Sequence, residues 1–335
     1  MAVSAVAVAL VLASCGSAAE GPASVPTRDP ATPVASPPTA SPIGSVTMLD
    51  SPTTVVGVAA EAQTLLVQAT GPDKLIAWNL GGPDSTVNLG SVAQEFDLPE
   101  GAGTAVLTAD GEALIPSPSG LTVVSLADGG TRTAEVTGTA LSAAKTTDGR
   151  YAVGTDNGSV VILGSDLTPE RTVTGFVSVD GLAAANGVLV ALDTHQTSAT
   201  EINVDDGSLS GALRVGIGAT GIIADHYGRI IAADTDGGQI VVFSVDPLLN
   251  RQMGPAGESP FGLADDATRN LVWVTLTGTN EVAAFDLSSG APDEKFRLPT
   301  IQDPQSVAVD EQSGDLYIGS STTGAVQRIP SAEIR

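Results

Sequence analysis

Basic residues are scarce in this chain: 14 Lys and Arg stand against 38 Asp and Glu, a formal charge of −24. Only three lysines occur, Lys74, Lys145 and Lys295, and they are scattered. Neutralising nucleic-acid phosphates needs a basic footprint, so a nucleic-acid partner is excluded. The same charge repels anionic head groups and rules out electrostatic attachment to a membrane. Cysteine occurs once, at Cys15, so no intramolecular disulfide forms. Aromatics make up 3% of the chain, and any core must be built from Val, Ile, Leu and Ala. Histidine occurs only at His195 and His226. No G-x-S-x-G elbow or H-E-x-x-H pair is present.

What is abundant is glycine (38) and proline (21), set between short Val/Ile runs. That composition predicts many turns and many short strands. Residues 2–14, "AVSAVAVALVLAS", are apolar and uncharged. Thirteen helical residues rise about 20 Å, short of the roughly 30 Å hydrocarbon core. The length fits the apolar region of a secretory signal, and the small residues before Cys15 fit a cleavage site.

"LASC", Leu12 to Cys15, resembles the lipobox of bacterial lipoproteins. The resemblance implies that residues 1–14 are a signal peptide, and that Cys15 is acylated and anchors the chain on the outer side of the cell membrane. The sequence departs from the pattern in having no basic residue before Arg28, which a translation start upstream of Met1 would explain. In residues 16–44, seven of 29 positions are proline and most others are Ala, Ser, Thr or Gly. Such a segment cannot bury enough apolar surface to fold, and residues 15–44 are expected to form a lipidated, disordered tether.

From residue 45 the chain repeats. Seven segments share one grammar of strand, polar turn, strand, polar turn, strand, as in "LSAAKTTDGRYAVGTDNGSVVILGSD". Gly111, Gly149, Gly187, Gly228, Arg269 and Gly314 mark the first turn, spaced 38, 38, 41, 41 and 45 residues. A weaker fourth strand follows, for example "RTAEVTG" or "EKFRLPT". Four strands per repeat of about 40 residues predicts an all-β, seven-bladed β-propeller over 45–335. The seventh repeat holds only three strands, so "SVTML" (45–49) is expected to close that blade.

"PFGLADD…LVWVTLTGTNEVAAFDLSSG" is similar to the YVTN-type propeller repeat, while the Gly-His and Trp-Asp marks of WD40 repeats are absent. The whole resembles the propeller lipoproteins of actinobacteria.

With strands A to D running outward from the axis, the B–C and D–A loops share one face. The B–C loops carry Asp73, Asp156, Asn157, Asp193, His195, Asp234, Asp236, Thr279, Asn280 and Thr323, a candidate binding rim. Converging carboxylates could supply oxygen ligands to Ca²⁺, but Asp and Asn are also ordinary turn residues. No other cofactor is expected. His195 falls in a B–C loop and His226 in an A–B loop, so the two histidines are expected on opposite faces. The acid pairs Asp265–Asp266 and Asp310–Glu311 read as solvated A–B turns. "GIGATG" (216–221) matches a dinucleotide motif in letters, yet strand–turn–strand follows where a helix is required, and it reads as a D–A loop.

Three functions remain open. The leading one is a monomeric, anchored envelope protein that binds a protein, peptide or glycan partner. The others are an enzyme, lactonase-like or a sugar dehydrogenase, with its site at the axial end of the B–C/D–A face, and a structural envelope component.

Overall fold

The computed structural model describes residues 27–59, 61–71, 73–80 and 89–335. The signal segment and Cys15 lie outside them. Seven four-stranded antiparallel sheets are arranged as a β-propeller, with blades at 53–97, 106–134, 140–174, 181–214, 219–255, 260–299 and 304–329. The seventh blade takes its outer strand from Ser45–Met48, which pairs antiparallel with Ala325–Ile329.

The turn chemistry explains the regularity. In all seven A–B turns one residue holds a left-handed φ between 46° and 86°: Gln63, Gly111, Gly149, Gly187, Gly228, Asn270 and Gly314. The sixth turn differs from the spacing rule by one position. Asn270, not Arg269, takes the left-handed place, because the Asn side chain tolerates it. The weak fourth strands form as well, at Thr131–Ala134 and Asp293–Pro299.

Burial falls off outward within a blade. B strands such as Thr64–Ala69 and Leu271–Leu276 are buried at every position, while D strands such as Val92–Asp97 show one exposed edge. The cores are aliphatic and bridge neighbouring blades; Leu192 and Ala199 of blade four pack with Ile230 and Phe243 of blade five. The few aromatics are concentrated there: Trp273, Tyr151, Phe243 and Phe285 are the bulkiest fully buried side chains.

Polar links add to this packing. On the A–B/C–D face, arginines reach the next blade: Arg132 to the Ser165 carbonyl (2.9 Å), Arg150 to Asp205 (2.6 Å) and Arg269 to the Gly314 carbonyl (2.8 Å). Near the axis, Ser142 donates to the Val179 carbonyl (2.8 Å), and Ser306 accepts from the Val55 amide (2.9 Å).

Two expectations are corrected. Residues 27–44 are not free of the fold: they run extended over the B–C/D–A face into the closing strand. They bury no core of their own; the propeller holds the Arg28 and Val34 amides and the Pro37 and Ile43 carbonyls. The acid pairs are not simply solvated. Asp266 is fully buried and accepts from Arg269 and from the Trp273 indole, and Asp310 is buried against Gln312 and Ser313. Glu311 is a clasp to blade six, receiving the amides of Ala267 (2.9 Å) and Thr268 (3.0 Å).

Candidate functional site

Eight of the ten rim residues lie in B–C loops and two, Asp193 and Asp234, close the B strands that lead into them, all on one face, but most are engaged within the protein. Asp193 and Asp234 end their B strands fully buried. The Asp193 carboxylate accepts from the Val177 amide (2.7 Å) and the Gln196 amide (3.0 Å). Asp234 accepts from Ile217 (3.0 Å), Gly218 (2.7 Å) and the Gln239 side chain (2.8 Å). These carboxylates staple each B–C loop to the D–A loop beside it. Within "GIGATG", the Ile217 and Gly218 amides are bound to Asp234 from the D–A loop, while Ala219 to Gly221 already belong to the A strand of blade five.

Blade three does the same with other atoms. Asp156 accepts from the Thr139 amide (2.9 Å), and Asn157 accepts from the Thr155 hydroxyl (2.8 Å) and donates to the Thr137 carbonyl (3.1 Å). The Asp73 carbonyl receives the Leu98 amide (3.0 Å). Thr279 donates to Glu281 (2.7 Å), and Thr323 accepts from the Ala325 amide (3.4 Å). The carboxylates of Asp156, Asp193 and Asp234 turn onto amides of the D–A loops beside them rather than toward a common point. Among the described residues no group of three or more His, Cys, Asp or Glu is placed to hold a metal ion.

The remaining three rim residues hold the 27–44 segment, called the strap below. Arg28 lies between blades four and five. Its amide donates to the His195 carbonyl (2.9 Å), its own carbonyl meets His195 Nδ1 (3.0 Å), and its guanidinium pairs with Asp236 (2.5 Å). Farther on, the Val34 amide donates to Ser259 Oγ (3.1 Å) and the Ser36 hydroxyl to the Thr277 carbonyl (2.6 Å). Asp303 N donates to Ser36 Oγ (3.1 Å), and Asn280 Nδ2 to the Pro37 carbonyl (2.9 Å). Gln327 Nε2 holds the Ile43 carbonyl (2.8 Å) at the entry to the closing strand. Ser259, Thr277 and Asp303 also contact the strap and fall outside the rim expected from the sequence. Ser259 and Asp303 did leave a signal: each precedes the proline that opens an inner strand, Pro260 or Pro304.

A cavity of about 840 Å³ lies on the axis, within the range of small-molecule sites. It is lined by A-strand aliphatics of all seven blades, among them Val58, Leu107, Leu182, Ile222, Leu263 and Val307. Its polar lining comes from the A–B side (Thr108, Asp110, Lys145, Thr146, Asp265), and the D–A side contributes Ala105 but no polar side chain. The cavity therefore opens at the end opposite to the one the enzyme reading used.

At its mouth Asp265 receives His226 through the backbone amide and Nδ1, both at 2.9 Å. Burial pushes the Asp265 carboxyl above its ordinary range despite those bonds. Burial pulls on Lys145 in the opposite sense. Hydrogen bonds with Asp110 and Glu112 outweigh it and hold the ammonium above its usual range. His195 and His226 stand on opposite faces.

No family model and no curated protein matches the chain. Solved structures do. The chain is similar to the WD40 repeats of RRP9, with TM-score 0.70 and 11% identity over 89% of this chain and 99% of that one. It is similar to virginiamycin B lyase from Staphylococcus aureus, with TM-score 0.67 and 12% identity over 85% and 99%. Hydrazine synthase from Kuenenia stuttgartiensis gives 0.66 and 12% over 87% and 99%. At such identities the likeness is one of fold, and the fold is a seven-bladed propeller related in shape to WD40 propellers.

Proposed function

We propose that the protein is a lipoprotein of the actinobacterial type, anchored through Cys15 outside the cell membrane, whose propeller binds a protein, peptide or glycan partner in the envelope. The anchor rests on the Leu12–Cys15 motif. Binding rests on one observation: the B–C/D–A face already grips an extended polypeptide, the strap, through atoms of Ser259, Thr277, Asn280 and His195. Most of those bonds go to strap backbone, which is chemistry that extended polypeptide in general can satisfy.

A photo-crosslinking residue at Thr279 or Thr323, in intact cells, tests the reading. One dominant product supports it. No reproducible product from either position leaves a structural envelope component as the better account. Changing Cys15 to Ala should move the protein out of the membrane fraction.

The axial cavity favours a second reading, an enzyme. The His226–Asp265 pair at its mouth supplies a base beside an apolar chamber. A hydrolase or dehydrogenase substrate turned over by the protein and lost with Asp265→Asn would establish it. The named enzymes similar to this chain carry the shape alone.

A further inference from the structure

We propose that the loop face of blades five to seven is a receptor groove for an extended, proline-containing peptide bearing a basic residue, and that residues 28–39 occupy this groove in cis. The proposal rests on the binding reading above and names the partner class of that site.

The groove is built from polar groups that hold one another, Thr277 Oγ1 on Ser259 Oγ and Asp303 N on Asn280 Oδ1, and that have bonding capacity left for the strap covering them. Ser259, Thr277 and Asn280 are 4%, 0% and 4% exposed. Ser259 and Asn280, together with Asp303, hold left-handed backbones, with φ of 56°, 55° and 51°. None of the three is glycine. The residue before the C strand is left-handed in blades three, four, five and seven as well (Gly158, Thr197, Gly238 and Gly324), so the turn itself sets the Asn280 backbone, and its side-chain amide is what meets the strap. Here each aims an atom at the strap: Ser259 Oγ at Val34 N, Asn280 Nδ2 at Pro37 O, and Asp303 N at Ser36 Oγ.

The occupant, by contrast, is lightly held. From residue 27 to 42 no strap side chain belongs to a hydrophobic cluster; Ile43 is the first that packs on one. Val34 is 45% exposed although its amide is bound. The groove thus reads backbone and one hydroxyl, not an apolar anchor. Segments with few buried contacts open at low free-energy cost. Pro33, Pro37 and Pro38 preorganise an extended chain and present carbonyls without competing N–H groups. The Arg28–Asp236 pair sets the charge preference, and a net charge of −24 steers a basic segment toward the protein.

The strap therefore acts as a built-in competitor. Its covalent link gives it an effective concentration of about millimolar, so an external segment must bind better, or the strap must first be weakened.

The test uses the full chain carrying Val34→Pro and Ser36→Ala, which remove strap donors and leave the groove intact. The probe is a fluorescent synthetic peptide of residues 27–41, followed by anisotropy. The weakened chain should bind it at least tenfold more tightly than the unaltered chain, and adding Asn280→Ala should reverse the gain. Absence of binding at millimolar peptide, or binding indifferent to Asn280→Ala, overturns the proposal.

Hydrogen exchange on the unaltered chain is a second measurement that needs no variant. The Val34 amide, bound to Ser259, should exchange at least tenfold faster than B-strand amides of blade six. Equal protection would make the strap an integral part of the fold and overturn the proposal. A partner crosslinked at Thr279 but insensitive to Asn280→Ala would also overturn it, while leaving the broader binding reading in place.

Discussion

The indole Nε1 of Trp273 donates to Oδ2 of Asp266 at 3.0 Å, and neither side chain is exposed to solvent. The same carboxylate receives the Arg269 amide (2.9 Å) and guanidinium (3.0 Å). Asp266→Ala leaves the buried indole without its acceptor and the Arg269 guanidinium with the Gly314 carbonyl alone, and a buried donor so orphaned costs about 1–3 kcal/mol. Urea unfolding should show a loss of about 3 kcal/mol. Asp266→Asn keeps one acceptor oxygen and should lose less.

Gly44 stands where the strap becomes the closing strand, at φ 70°. A Cβ there would collide with the Arg328 carbonyl oxygen, which belongs to the strand it is about to pair with. Gly44→Ala should destabilise the protein by about 1–3 kcal/mol, the cost of a strained left-handed residue. The heavier damage should fall on ring closure. Differential scanning calorimetry should show a lower melting temperature, and hydrogen exchange should show loss of protection in Ala325–Ile329 ahead of the other blades.

The contrast between propeller and strap shows what this sequence displays locally. The blades were legible because their key event, a left-handed residue in each A–B turn, favours Gly or Asn, found in six of the seven turns with Gln63 in the other, and recurs every 40 residues or so. Asp193 and Asp234 were legible as turn residues, but not as fully buried ones, since the amides they hold come from a D–A loop of the preceding connection. The strap gave no signal. Its partners Asn280, Ser259 and Thr277 lie more than 200 residues away, and its own composition says only that it cannot build a core. Low apolar content excludes self-sufficient folding but not docking on a finished surface.

Asp148 governs part of the acid response. Hydrogen bonds from Arg150 and Thr146 hold its carboxyl down at about 2, below the usual 3.8. The unfolded chain therefore binds its proton first as pH falls. The stabilisation is fully present above the ordinary value and is lost as pH drops from about 4 to 2. The side chain is half exposed, so solvent screening keeps the effect small. Asp110 and Glu112 act in the same direction through Lys145. Chemical unfolding measured across pH 2 to 5 should show stability rising with pH in wild type and a shallower slope in Asp148→Asn.

Asp265 acts with the opposite sign. Its carboxyl is raised by burial at the cavity mouth, even with His226 donating to it. The folded state then keeps the proton to a higher pH than the unfolded chain does. Stability contributed by this group falls as pH climbs from the ordinary 3.8 through the raised value, and it stays lower at neutral pH. Asparagine is close in shape to the protonated acid and carries no charge to desolvate. Asp265→Asn should therefore be at least as stable as wild type at pH 7, with the difference vanishing below the ordinary carboxylate range. A variant markedly less stable at pH 7 would mean that the ionised Asp265–His226 contact holds the two A–B turns together, and that burial is the weaker influence there.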